Sequence, residues 1–343
     1  MRKTLLAVLT VLSSTVATQF VSETVFRQYS LCSTDCRFVT RGRSKIHCSL
    51  QCYADSACVF WAWDSNPGLC RLCANVAEEN CAEIGHAVLP GYLRTVCQNG
   101  GTLDISRWRC SCFAGFAGDV CQRRIYDCSE GFHLNYPTRV YEIQPPLATS
   151  PFSVYCRMTF GGRTYIATRT HPDLQFNRTW EEYKNGFGNV SGDYWIGLEQ
   201  IYLLTNNGLD NELKIEIRNS TDFHFQQYYY YFRISDESSY YQLHFASTKP
   251  NAQPGKALGD SLSPALGCRF STYDADHDGD DTENCALRHQ SGWWFPSPCN
   301  LTKGNPLGRL GQPGMWSGNP EDAFWFTDFG NRALLHVHMW LVM

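Results

Sequence analysis

The chain has 343 residues, a formal net charge of −4, 18% charged and 14% aromatic residues, and 17 cysteines. That length exceeds one ordinary domain and points to two or three, and the slightly acidic balance argues against a nucleic-acid partner. Tyr, Trp and Gly outweigh the residues of helical chains, which suits a compact, turn-rich extracellular protein.

Arg2 and Lys3 precede a mostly apolar run, Leu5 to Leu12, and the small-residue segment Ser13 to Thr18 follows. The pattern reads as a secretory signal peptide over residues 1–17. The run is too short to span a bilayer, and no later stretch approaches the roughly 18 apolar residues a spanning helix needs. The mature chain is therefore expected to be secreted, with no membrane insertion. Cysteines in an oxidising compartment should pair. Their odd number leaves at least one unpaired or bonded to another chain. Zinc competes for Cys70-x2-Cys73, but no second such pair and no His pair completes a site.

Residues 26–96 hold Cys32, Cys36, Cys48, Cys52, Cys58, Cys70, Cys73 and Cys81. Cys48 and Cys52 can share one face of a short helix. Val59 to Trp63 then alternates like a strand, Ser65-Asn66-Pro67-Gly68 marks a tight turn, and Cys70 lies on the returning strand. This layout resembles a PAN/apple module. The resemblance implies bridges Cys48–Cys70 and Cys52–Cys58, and a role in binding proteins or glycans. A disulfide-stabilised spacer is the plain alternative. Spacing leaves the pairing of Cys32, Cys36, Cys73 and Cys81 open.

Residues 97–122 end in C-x-C-x-x-G-F-x-G-x-x-C with Asn99-Gly100-Gly101 upstream. They resemble an EGF-like module that keeps four of its six cysteines. The two missing positions pair with each other in that family, so their joint loss leaves Cys97–Cys110 and Cys112–Cys121 as the implied bridges. No acidic calcium-binding consensus precedes the module, which reads as a rigid spacer.

Residues 126–343 form the third domain. Val140 to Pro145 and Phe152 to Met158 alternate as strands, and Cys128–Cys156 is the expected bridge. The order Trp180-x-x-Tyr183-x-x-Gly186-Phe187-Gly188, then Gly192-Asp193-Tyr194-Trp195, places Trp180, Tyr183, Phe187 and Trp195 as core. Leu213 to Arg218 alternates as a half-exposed strand. The aromatic run Tyr228 to Phe232 reads as a buried or edge strand. Cys268 is the odd cysteine, either a buried thiol or a link between chains.

Tyr273 to Asn300 reads YDADHDGDDTENCALRHQSGWWFPSPCN. Asp274, Asp276, Asp278, Asp280, Asp281 and Glu283 repel one another unless a cation intervenes, and hard oxygen ligands at alternate positions suit Ca²⁺. An acidic surface loop without metal is the alternative. The first residues match an EF-hand, but its twelfth position is Cys285 and no amphipathic helix flanks the loop, which excludes that motif. The run Phe270 to Cys299 strongly resembles the calcium loop of the fibrinogen C-terminal domain of fibrinogens, ficolins, tachylectins and angiopoietins. The resemblance implies an α+β, multidomain, disulfide-rich extracellular protein with that fold at its C-terminal end. It implies Ca²⁺ held by the carboxylates of Asp276 and Asp278 and the backbone carbonyls of Asp280 and Thr282. It also implies a cis peptide between Asn284 and Cys285, and a disulfide Cys285–Cys299 is expected beside it.

Members of that family bind acetylated sugars or exposed termini in a pocket beside this loop. The matching positions are Asn284, Cys285, Arg288, His289 and Asn300. Arg288 and His289 suit an anionic ligand, or they simply pair with acidic side chains of the loop. Asn300-Leu301-Thr302 is a glycosylation sequon, and Asn177, Asn189 and Asn219 open three more. The expectation is a non-enzymatic, calcium-dependent recognition protein of lectin type, binding glycans or anionic ligands in innate defence. The second reading is a matrix or signalling ligand that binds a cell-surface glycoprotein. A homo-oligomer is left open. No nucleophile elbow or HExxH motif appears.

Overall fold

The computed structural model describes residues 24–31, 36–41, 52, 58, 60–64, 69–73, 89–104, 109–218, 224–250, 257–311, 318–326 and 334–343. The segment read as a signal peptide, Cys32, Cys48, Cys81 and Asn219 lie outside these residues, so the expected Cys48–Cys70 bridge does too. The protein divides into units at Met1–Arg123 and Arg124–Met343.

The first unit holds a five-stranded sheet built from β1 (Thr24–Leu31), β2 (Cys36–Arg41), β3 (Phe60–Asp64), β4 (Leu69–Cys73) and β5 (Leu89–Val96), in the order β1-β5-β3-β4-β2. Strands β3 and β4 are antiparallel neighbours, with Trp63 opposite Cys70. Trp61 and Leu72 are buried, and Cys52 is bonded to Cys58. Further along, β6 (Thr102–Asp104) pairs antiparallel with β7 (Arg109–Ser111). Disulfides join Cys97 to Cys110 and Cys112 to Cys121.

The second unit is β-rich, with four short α-helices among the described residues: α1 (Cys128–His133), α2 (Trp180–Asn185), α3 (Leu198–Thr205) and α4 (Cys285–His289). The α+β expectation thus resolves to sheet with short helical turns. None of these helices is long or apolar enough to cross a membrane. The main sheet contains β8 (Arg139–Ile143), β9 (Phe152–Arg157), β10 (Arg163–Arg169), β11 (Glu212–Arg218), β12 (His224–Tyr230), β13 (Ser247–Pro250) and β14 (His336–Val342). Its order is β8-β9-β10-β14-β11-β12-β13, antiparallel throughout. The last strand is therefore central, with β10 and β11 on its two sides. A disulfide ties Cys128 on α1 to Cys156 on β9.

Alternation along β11 and β12 sends Leu213, Ile215, Ile217, Phe225 and Tyr229 into the core. The half-exposed reading of β11 needs one correction. Glu216, on the other face, is also buried, because this central strand brings it against His224 Nδ1 (3.0 Å) and Gln226 Nε2 (2.6 Å). Of the expected core aromatics, Tyr183 and Trp195 are fully buried and Trp180 and Phe187 half-buried. The helix α2 starts from a capping box in which Thr179 and Glu182 satisfy each other's amides. It stops at Gly186, whose φ of 92° and position against the Ile196 carbonyl leave no room for a Cβ.

Candidate functional site

The acidic loop is fastened from several sides. Asp274 Oδ1 accepts from the Trp180 amide (2.9 Å) and the Thr272 hydroxyl (2.7 Å), so this carboxylate anchors the start of α2. The His277 amide donates to Ser271 Oγ at 2.9 Å, and its ring stacks on Tyr240 at 4.0 Å. That inward ring sets apart the two carboxylates that flank it in sequence. Asp276 is exposed, whereas Asp278 is 7% exposed. Asp278 accepts from the amides of Asp280 and Cys285, each at 2.8 Å. Asp276 Oδ1 accepts from the Asp278 amide at 3.3 Å.

Burial pushes the Asp278 carboxyl up; the two amides oppose this, and the neighbouring Asp276 charge raises it further. Asp280 behaves oppositely. The Thr282 hydroxyl, then the Cys299 amide, hold its carboxyl down to about 2. The Asp280 carboxylate is thus committed within the loop, while the Asp276–Asp278 pair carries unrelieved repulsion. This donor set fits a hard divalent cation. The Asp278 carboxylate lies close to the sulfurs of Cys285 and Cys299, and the carboxylates of Asp280 and Glu283 lie close to the sulfur of Cys299. Those sulfurs are bonded to each other and offer no thiolate.

The cis peptide expected between Asn284 and Cys285 is not found. Among the described residues only Ser297–Pro298 is cis. The trans arrangement has a local reason: Asn284 is extended (ψ 111°) and caps α4, its Oδ1 accepting from the Leu287 amide at 2.7 Å. The Cys285 amide remains directed at Asp278.

The expected pocket residues face different surroundings. Arg288 is exposed and pairs with Glu283 at 2.6 Å, so its acidic partner is a glutamate of the loop. His289 is 4% exposed; its Nδ1 meets the Pro320 carbonyl at 2.7 Å and its ring stacks on Phe295 at 5.1 Å. Burial lowers the His289 pKa, which keeps the ring neutral. Asn300 is exposed, but the Thr302 hydroxyl of its sequon is buried. Asn177 and Asn189 are exposed. Cys268 is a free, half-buried thiol, 3.9 Å from the Pro264 carbonyl, and burial raises its pKa.

A cleft of about 360 Å³ that sequence reading did not find lies over the main sheet, bounded by Val190–Gly192. Its walls come from five separate segments, so no local spacing announces it.

Against known proteins, the family model "Fibrinogen beta and gamma chains, C-terminal globular domain" matches residues 125–337. Angiopoietin-related protein 1 of Homo sapiens is 37% identical over 173 residues, 49% of this chain and 33% of the relative. Fibrinogen-like protein 1 of Homo sapiens is 36% identical over 190 residues, 52% of this chain and 60% of the relative. The protein therefore spans less than two thirds of either. The fibrinogen-like globe domain of human ANGPTL2 aligns with a TM-score of 0.58 at 32% identity, over 63% of this chain and 98% of that one. Lamprey fibrin D-dimer, solved with the peptide Gly-His-Arg-Pro-amide, aligns with a TM-score of 0.54 at 25% identity, over 63% of this chain and 73% of that one. With more than half of its residues inside the family match, this protein belongs to the family defined by the C-terminal globular domain of the fibrinogen beta and gamma chains.

Proposed function

We propose that the protein is a secreted, non-enzymatic ligand whose C-terminal head, residues 126–343, binds a cell-surface or matrix protein. The observation that carries this reading is the match of the head to angiopoietin-related and fibrinogen-like proteins. Lamprey fibrin D-dimer, a structure to which the head is similar, is complexed with a peptide ligand. The lectin reading draws less support, because Arg288 is spent on Glu283 and His289 is buried against Pro320. On this reading residues 1–17 are a signal peptide, 26–96 a PAN/apple-like module and 97–122 an EGF-like spacer.

Calcium is assigned to the acidic loop, with carboxylates from Asp276 and Asp278 and carbonyls from Asp280 and Thr282. Bound there, the ion neutralises the carboxylate pair and stiffens the surface beside α4. The ends of the loop are already fastened by the Cys285–Cys299 bridge and by Asp274 on Trp180.

Labelled full-length protein on cultured cells tests the proposal. Binding that is lost when surface proteins are digested, survives removal of surface glycans and weakens in EGTA supports it. Binding abolished by glycan removal alone overturns it in favour of the lectin.

A further inference from the structure

Alternation sorts the main sheet into two faces. Val154, Cys156, Thr164 and Ile166 are buried on the core side of β9 and β10, so Arg157, Arg163 and Tyr165 belong to the outer side. Arg157 and Arg163 stand directly opposite each other in the register of these two strands, at the closed end of their hairpin. Side chains so placed have Cβ atoms about 4.5–5.5 Å apart, and like charges there repel.

Nothing on the sheet relieves this pair. The strands of the main sheet carry the carboxylates Glu142, Glu212 and Glu216, and each already has a partner. Glu142 meets Arg124 at 2.7 Å, Glu212 meets Lys214 at 3.5 Å and Glu216 meets His224 at 3.0 Å. Arg157 is exposed, hydrogen-bonds the Tyr165 side chain and makes no ion pair among the described residues. Arg163 makes none either. Its guanidinium lies 4.7 Å from the centre of the Trp340 ring and 5.3 Å from that of Phe160, and its Nε is buried without a hydrogen-bond partner. These contacts orient the two guanidinium groups and leave their charge uncompensated.

Phe160 completes the arrangement. It sits in the hairpin loop with 79% of its surface exposed and a φ of 50°, a left-handed conformation that glycine would adopt without strain. The hairpin thus holds an aromatic ring in water beside two guanidinium groups. Two planar forks offer more donors than one carboxylate can use, whereas a sulfate or phosphate ester presents three terminal oxygens. The exposed ring suits an ester carried on an aromatic group.

We infer that the β9–β10 hairpin binds a sulfated tyrosine of a partner protein, its sulfate shared by Arg157 and Arg163 and its ring lying on Phe160. Sulfate rather than phosphate follows from the export proposed above, since tyrosine sulfate is the ester formed on exported proteins. The inference rests on the protein-binding role of the head and names the chemistry recognised. It does not involve the calcium loop.

Calorimetry on the full-length protein tests this with a short acidic peptide carrying one sulfotyrosine, the same peptide unsulfated, and sodium sulfate. The sulfated peptide should bind at least tenfold more tightly than the unsulfated one. Arg157→Ala should weaken that binding tenfold or more with its melting temperature unchanged. Phe160→Gly should weaken it severalfold without lowering the melting temperature, and Arg233→Ala, at another exposed arginine, should bind as the wild type does. The inference is overturned if the sulfated peptide does not bind, if the unsulfated peptide binds equally, or if Arg157→Ala retains full affinity. Sodium sulfate binding as tightly as the peptide would mean an adventitious ion only, and overturns it too. Phosphatidylserine vesicles that bind through Arg157 while the peptide does not would overturn it in favour of a lipid surface. Protease-sensitive cell binding stands or falls apart from every one of these results, so the two readings fail separately.

Discussion

The amide of Cys285 donates to Asp278 Oδ2 at 2.8 Å, which ties the most buried carboxylate of the acidic loop to the first residue of α4. That carboxylate also feels Asp276, so removing charge at this position separates the loop's structural role from its ion-binding role. Asp278→Asn is expected to fold normally without calcium and to lose its response to calcium. For the wild type, calcium at a hundredfold excess over Kd contributes about 2.7 kcal/mol, or roughly 5–10 °C in Tm for a domain of this size. Thermal denaturation of both proteins in calcium and in EGTA checks this. An undiminished shift in the variant would refute the assignment.

Opening the Cys285–Cys299 bridge with a double serine variant should destabilise the head by roughly 3 kcal/mol, as expected for a loop of this length. The bridge closes a sequence separation of 14 residues. Chemical denaturation of the two proteins measures the difference.

Gly292 presents a tighter constraint. A Cβ there would lie 2.7 Å from the rings of Phe270 and Tyr183, and its amide donates to the Tyr183 hydroxyl at 3.0 Å. Both rings are buried. Gly292→Ala should therefore cost about 1–3 kcal/mol, seen as a lower urea midpoint with an unchanged slope.

Acid should weaken the sheet through His338. Burial holds its pKa down to about 4, from an ordinary value of 6.5, against the opposing pull of Glu216. The unfolded state then binds more protons between those values, so this stabilisation is present above pH 6.5 and is lost as pH falls toward 4. Down to pH 5 the loss is on the order of 2 kcal/mol. Comparing Tm between pH 7 and pH 5 for wild type and His338→Gln isolates the contribution, and equal slopes would refute it.

Cys268 makes no disulfide and is half-buried. The protein should run as a monomer on non-reducing gels, and Cys268→Ser should change nothing. A covalent dimer lost in that variant would show that the thiol joins two chains.

The acidic loop was legible in the sequence because its signal is contiguous. Asp274 to Glu283, the two cysteines and the Trp293-Trp294 pair are a single run of residues. The head's strands were visible from alternation, as in Leu213 to Arg218. What could not be read was pairing over distance. No local pattern shows that His336–Val342 enters between β10 and β11, or that this placement covers Glu216. His289 looked like a pocket residue beside Arg288, yet its surroundings depend on Pro320 and Phe295. The cis bond inferred at Asn284 gave way to an ordinary helix cap.

The placement of β14 also sets an order of events. The two halves of the main sheet stay apart until this late segment arrives, each with a bare hydrogen-bonding edge that invites other polypeptides. During folding the head is therefore vulnerable to misassembly until its closing strand slides home. A premature stop codon only a few positions upstream would leave both edges unsealed.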